Sequence, residues 1–189
     1  SIGQGYMLAS PLQLCVMAAR LASGNAVRPR LIKNVDGIEQ PTGAGPSLGM
    51  NENNLRIIRS AMFDVVNDRR GTAYGSRIID DAMRMAGKTG TAQGAGNLPW
   101  NDSSAFGAFS LSPRPDYKYA AFAYLEKSGY GSQAAAPVVK CMYIALAGKY
   151  RFDPLNAADP LNTGGSLAAQ PTYLRNPSCL VGGRSESRD

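Results

Sequence analysis

Histidine is absent from this 189-residue chain, and that absence excludes several kinds of catalytic site. No Ser-His-Asp or Cys-His arrangement can form without an imidazole. Any nucleophile would need a lysine, a carboxylate or a tyrosine as its base. Cysteine is scarce, and no two of Cys15, Cys141 and Cys179 stand at C-x-x-C spacing. A zinc site is therefore not expected, and no other metal or cofactor is indicated. Cys15 and Cys141 lie in apolar helical patterns, which are typical of buried thiols.

Long hydrophobic runs are also absent. The longest ones, AAFAYL and CMYIALA, are far shorter than the ~20 residues of a membrane-spanning helix. No basic segment followed by an apolar one opens the sequence, so the chain does not itself specify a location. The net charge is +6, but the lysines and arginines are scattered, and nucleic acid is not an expected partner. A basic groove would instead suit a carboxylate substrate.

The elements indicated by local sequence signals make an α+β protein. Ser10-Pro11 reads as a helix start and Gly24-Asn25 as its end. The helix between them is nearly all apolar, so we expect it to be buried nearly all round. Three short apolar segments separated by turn-rich loops predict an antiparallel meander. The predicted helices span 11–23, 53–68 and 134–147, the last ended by Gly148, and the strands lie within 84–93, 104–112 and 117–126. Residues 36–50 are read as loop, 1–150 as the folded part and 151–189 as a flexible tail.

The segment RMAGKTGTAQG contains a Gly-Lys-Thr triplet that has two chemically unrelated interpretations. In a phosphate-binding loop, G-x-x-x-x-G-K-[ST], backbone amides of a glycine-rich turn surround the phosphates. Here Ala82 stands where the first glycine should be, and bulky methionines follow it. The residues after Thr91 do not begin a helix either, so this interpretation is rejected.

The other interpretation is a β-strand beside an acyl-transfer site. Lys88 would bring positive charge to a nucleophile, and the hydroxyls of Thr89 and Thr91 would bind a substrate carboxylate. Gly90 would let a substrate backbone lie close to the strand. Alternation places Lys88 on the opposite face from the threonines, so all three reach one substrate only along the open edge of the strand. Taken alone, the tripeptide is better explained by an ordinary surface lysine.

Flanking motifs give the tripeptide a context. SIGQGYMLASPLQL (1–14), GTA (71–73) and GKTGTAQ (87–93) occur in this order, followed by the predicted strands. Together they resemble the C-terminal half of the transpeptidase domain of class B penicillin-binding proteins, closest in wording to the elongation-specific branch. The resemblance covers about residues 1–149. It implies part of the fold shared by penicillin-binding proteins and serine β-lactamases, without its N-terminal half.

That family performs acyl transfer on peptidoglycan stem peptides, using the motifs S-x-x-K, S-x-N and K-T-G. By resemblance, Lys88 would support proton transfer, and Thr89, Gly90 and Thr91 would line the carboxylate site. The Thr91 backbone N–H would form half of the oxyanion hole. Trp100 would rim the substrate groove, although its loop also fits a plain hairpin connection.

The first two motifs are not evident. No serine in the sequence is followed three residues later by lysine, and Ser23-Gly24-Asn25, which spells S-x-N, is interpreted as a helix end. The chain therefore resembles a fragment that lacks the nucleophile and is inactive alone. As half a domain, it should expose apolar surface on the helix 11–23 and beside Lys88.

Two other functions remain open at this point. One is a non-enzymatic module that binds cell-wall peptides or another wall-assembly protein, and the other is a fragment of a serine β-lactamase or D,D-carboxypeptidase. By resemblance, the expected ligands are stem peptides and β-lactams. The expected protein partners are the remainder of the domain and a membrane glycan polymerase. The expected location is the periplasmic face of the bacterial inner membrane.

Overall fold

The computed structural model describes residues 8–41, 43–78, 83–94, 101–112 and 118–151, with side chains as far as residue 146. Within these ranges the chain is an α+β protein with an antiparallel sheet and packed helices, as predicted. The helices are α1 (Pro11–Ser23), α2 (Glu52–Asn67) and α3 (Ala135–Arg151), with a 3₁₀ turn at Tyr74–Ser76. The strands are β1 (Asn34–Val35), β2 (Ile38–Glu39), β3 (Met85–Ala92), β4 (Ser103–Ser110) and β5 (Ala120–Leu125).

The central sheet is the predicted meander, with strand order β3-β4-β5 and antiparallel pairing throughout. Residues two apart along a strand share a face of the sheet. Met85, Phe106 and Ala108 lie on one face, in a buried cluster with Val139 and Tyr143 of α3. The opposite face is covered by α1, which packs against β4 and β5. The sheet is therefore sandwiched between helices, and β3 forms one of its edges.

Helix α1 begins and ends where the sequence predicts. The Ser10 side chain accepts from the Gln13 N–H, the Gln13 side chain accepts from the Ser10 N–H, and Pro11 occupies the first turn. Gly24, with φ of 75°, closes the helix in the left-handed conformation, and its N–H donates to Arg20 O. These local bonds fix the helix ends independently of packing.

The prediction that α1 is buried nearly all round is wrong for this chain. Only Ala18 is buried, whereas Leu12 and Met17 remain 56% and 52% exposed. The sheet covers one side of the helix, and no described element covers the other. The expected apolar patch on α1 is thus confirmed. The patch expected beside Lys88 does not form on β3, because Met85, its one large apolar side chain, is buried.

Helix α2 is half-buried and lies against β3. Its buried residues are Leu55 and Val66. Asn67, near the end of the helix, is tied to the strand, since its Nδ2 donates to Met85 O at 3.0 Å. Helix α3 does not stop at Gly148 as predicted but continues to Arg151. A lone glycine costs a helix only about 1 kcal/mol, so it need not end one.

Two smaller expectations are also corrected. Residues 36–50 are not all loop, because β2 lies within them and pairs with β1 through a turn at Asp36 and Gly37, with φ of 50° and 81°. Both positive φ values are typical of a tight hairpin turn.

Cys15 is a half-buried free thiol, and burial raises its pKa. Cys141 is disulfide-bonded rather than a free thiol, which a helical apolar pattern cannot distinguish.

No helix in the described ranges has both the length and the apolar character needed to cross a membrane. The proposed tail after residue 151 lies outside the described residues, and the division into 1–150 and 151–189 stays a prediction. The segment 1–7 with its Gly-Gln-Gly-Tyr sequence, Ala82 and Trp100 also lie outside them.

Candidate active site

Gly87, Lys88 and Thr89 lie in the middle of β3, and the chain remains extended to Ala92. A phosphate-binding loop would need a turn before the lysine and a helix directly after it. The strand conformation is incompatible with that arrangement, so the rejection of the phosphate-binding interpretation holds. The triplet instead lies on an edge strand, where its backbone can be reached from outside the sheet.

Two hydrogen bonds establish which backbone groups of β3 face that edge. Leu111 N donates to Arg84 O at 2.8 Å, so Arg84 directs its carbonyl toward β4. Met85 O, the next carbonyl, accepts from Asn67 of α2 instead. In an antiparallel pair, successive residues direct both of their backbone groups to alternate sides. The N–H and C=O groups of Gly87, Thr89 and Thr91 therefore point toward the edge away from β4.

The Lys88 side chain is exposed and reaches across this edge. It starts on the face opposite Thr89, yet its Nζ donates to Thr89 O at 2.7 Å. That carbonyl points away from β4, so the ammonium lies at the open edge and not out in solvent on its own face. The side chains of Lys88 and Thr89 thus start on opposite faces of the strand, as the sequence predicts. The Lys88 side chain nevertheless reaches the edge, because it folds back over the strand.

Thr89 contacts a residue to which the sequence assigned no role. Its Oγ1 lies 3.0 Å from Oγ1 of Thr72, in the Gly-Thr-Ala segment after α2. A Cβ on Gly71 would approach Asp64 O and Val65 O to 2.4 Å, so only glycine fits this close packing against α2. The residue after Thr72, Ala73, is buried, and its N–H donates to Val65 O. Both neighbours therefore hold Thr72 in place beside β3.

Thr91 is held from the same face as Thr89. The N–H of Gly131, in the turn before α3, donates to Thr91 Oγ1 at 3.4 Å. A Cβ on Gly131 would come within 2.5 Å of Gly90 O and within 2.4 Å of Ala105 O, so the turn lies directly on the sheet backbone. Gly90 itself has room for a Cβ, whose nearest neighbour would be Ala105 Cβ at 3.4 Å.

Asp102 fixes the base of the loop between β3 and β4. Its Oδ1 accepts from Gly94 N at 3.0 Å, and its backbone carbonyl accepts from the N–H groups of Ser128 and Gly129. The end of β3, the start of β4 and the turn that holds Thr91 are thereby joined. Trp100, the predicted rim residue, belongs to this loop but lies outside the described residues, so its role stays a prediction.

Ser23-Gly24-Asn25 caps α1, as predicted, and is not at the site. Ser23 Oγ donates to Ala19 O, and Asn25 N donates back to Ser23 Oγ. The serine hydroxyl thus serves the end of the helix. The match of this segment to the S-x-N pattern is therefore not evidence of a catalytic motif.

A surface groove among the described residues lies away from this strand. It is formed chiefly by the N-terminal part of α2, encloses about 680 Å³ and contains none of the K-T-G residues. Among the residues that the structure describes, no group of three potential metal ligands comes together. The groove lining is Glu52, Asn53, Arg56, Arg59, Ser60, Phe63 and Leu111.

Comparison with known proteins supplies the wider context. The sequence model of the family described as "Penicillin binding protein transpeptidase domain" matches residues 1–143. Peptidoglycan D,D-transpeptidase MrdA of Haemophilus influenzae is 32% identical over 158 residues, which are 74% of this chain and 24% of that protein. The MrdA protein of Acinetobacter baumannii is 29% identical over 188 residues, covering 89% of this chain and 27% of its own length.

A solved structure agrees with these sequence matches. The transpeptidase domain of Burkholderia pseudomallei penicillin-binding protein 3 superposes with a TM-score of 0.57 at 25% identity, covering 81% of this chain and 45% of the solved one. The chain spans about a quarter of the length of the curated relatives it matches. Its K-T-G strand, meander and flanking helices belong together in one known architecture. The chain is a member of the penicillin-binding protein transpeptidase domain family.

Proposed function

We propose that this chain supplies the K-T-G half of a peptidoglycan D,D-transpeptidase. The observation that carries the proposal is the convergence of different side chains on one open edge of β3. The Lys88 ammonium and the outward-facing backbone of Thr91 lie there, and the Thr89 hydroxyl lies on the adjoining face of the same strand. A cation, hydroxyl donors and an amide on one strand suit a substrate that is carboxylate-terminated and extended.

The reaction divides between this strand and a serine that the chain does not provide in an S-x-x-K motif. The serine hydroxyl attacks the carbonyl between the two D-alanines, its proton passes by way of the base to the amide nitrogen, and the terminal D-alanine leaves as an amine. An amine from a neighbouring stem peptide then displaces the serine from the acyl-enzyme. Lys88 supplies positive charge to the proton-transfer network, and the Thr91 N–H stabilises the oxyanion. Thr89 and Thr91 bind the terminal carboxylate by hydrogen bonds.

The remaining parts of the proposal concern the whole protein. The remainder of the transpeptidase domain supplies S-x-x-K and S-x-N, and this chain alone is inactive. The ligands are stem peptides and β-lactams, with no cofactor, and the protein partner is a membrane glycan polymerase. The periplasmic face of the inner membrane is the proposed location.

Substitution of Gly90 by alanine tests whether substrate lies against β3. The structure leaves space for this methyl group, so we expect the free energy of unfolding to change by no more than about 0.5 kcal/mol. If a substrate backbone passes close to Gly90, the same methyl group should slow acylation by a penicillin about 10-fold or more. The rate is measured in a longer gene product that includes S-x-x-K.

Gly75→Ala is the matched control, because its added methyl group has no neighbour within 4 Å and lies in the 3₁₀ turn, off the strand. Acylation of the Gly90→Ala variant at the unmodified rate would mean that no substrate passes close to this part of β3. If Gly90→Ala lost stability in proportion to its loss of acylation rate, the slower rate would reflect a damaged fold, and it would not support a substrate close to Gly90.

A further inference from the structure

Thr72 has the geometry of a residue that directs the proton of its neighbour. Its hydroxyl oxygen lies 3.0 Å from that of Thr89, and either oxygen can be the donor. Thr72 is exposed, so this contact contributes little to folding, since exposed hydroxyls exchange readily with water. The close packing of Gly71 and the burial of Ala73 nevertheless fix its position. An exposed hydroxyl that is held this firmly against a site residue calls for a functional explanation.

The direction of the bond follows from the chemistry of the ligand. An ionised carboxylate only accepts hydrogen bonds, and a threonine hydroxyl has one proton to donate. If Thr89 donates that proton to the substrate, it can only accept from Thr72. Two hydroxyls in series then point the same way, and each bond strengthens the next.

We propose that Thr72 is a positioning residue of the carboxylate site, which donates to Thr89 Oγ1 and thereby directs the Thr89 proton toward the terminal carboxylate of the substrate. This inference rests on the proposed function, because it requires Thr89 to bind that carboxylate. It adds a residue from a second segment, 17 positions before Thr89, to the K-T-G strand. It also explains why glycine and alanine flank Thr72, since one permits close packing and the other is buried.

The test compares acylation of the longer gene product by a penicillin with a free carboxylate and by the methyl ester of the same penicillin. Thr72→Val keeps the shape of the side chain and removes its hydroxyl, whereas Thr72→Ser keeps the hydroxyl. We expect Thr72→Val to slow acylation by the acid roughly 3- to 10-fold, the worth of one hydrogen bond, and to leave the ester rate within about twofold. Thr72→Ser should restore the acid rate, and thermal unfolding should be the same for all three proteins.

The outcomes separate this inference from the proposed function. An unmodified protein with no preference for the acid over the ester contradicts the carboxylate site itself, and the role of Thr72 with it. A normal preference that Thr72→Val retains overturns only the role of Thr72. Equal slowing of acid and ester, or a lowered unfolding temperature that Thr72→Ser shares, would assign Thr72 a purely structural role and also overturn the inference.

Discussion

Replacement of Lys88 by alanine in a gene product that includes S-x-x-K should slow acylation by a penicillin about 100-fold or more, the effect typical of a lost proton-transfer group. The ammonium lies at the open edge of β3, 2.7 Å from Thr89 O, where a nucleophile and a substrate would meet. Its removal takes positive charge from the site without opening a core cavity, because Lys88 is exposed. Stopped-flow measurement of the second-order acylation rate constant gives the effect.

Lys118→Ala is the control for a simple change in net charge. Lys118 is also exposed, but it precedes β5 and is separated from β3 by β4. We expect the acylation rate constant of Lys118→Ala to stay within about twofold of that of the unmodified protein, since exposed charges far apart are screened by salt. Equal effects of the two substitutions, or an unchanged rate for Lys88→Ala, would show that Lys88 is an ordinary surface lysine.

Replacement of Gly87 by alanine should lower the free energy of unfolding by about 3 kcal/mol, through overpacking of the core. The added Cβ would approach the Phe106 ring to 2.4 Å and Gly107 O to 2.9 Å. Phe106 is fully buried, so its ring has no space into which to move. Gly87 is therefore required by the fold, whereas Lys88 beside it is proposed to serve the chemistry. Urea unfolding followed by circular dichroism measures the change.

Gly75→Ala again serves as the control, now for stability. Its methyl group would contact nothing within 4 Å, and its backbone does not have a positive φ. Alanine there should leave stability unchanged or raise it by about 0.5 kcal/mol, through lower entropy of the unfolded chain. If Gly87→Ala were as stable as Gly75→Ala, the packing of Phe106 against β3 would have to be looser than described.

Elements fixed by local bonds could be predicted from the sequence. Ser10, Pro11 and Gly24 define the ends of α1 through bonds within a few residues, and both ends were predicted correctly. The meander was predictable because its short apolar segments are separated by turn-rich loops. The role of Gly148 was predicted wrongly, since whether one glycine ends a helix depends on what packs against the next turn.

Features that depend on contacts between distant segments could not be predicted. The pairing of Thr72 with Thr89 joins two segments through the packing of α2, and no local pattern signals it. The fold of Lys88 over the edge of β3 is equally invisible in an alternating strand sequence. The exposure of Leu12 and Met17 was expected only from the resemblance to half a domain, because an apolar helix by itself predicts burial without showing whether a partner is present. The K-T-G residues could be identified from their motif, but the arrangement of their side chains could not be predicted from it.

The central claim is that this chain provides the K-T-G strand of a site whose nucleophile lies in another part of the protein. Its most direct test is the intact mass of two proteins after incubation with a penicillin, one being this chain and the other a longer gene product with S-x-x-K. We predict that the longer product gains the mass of one penicillin and that this chain gains none. Covalent labelling of the isolated chain, at any serine among its 189 residues, would contradict the account.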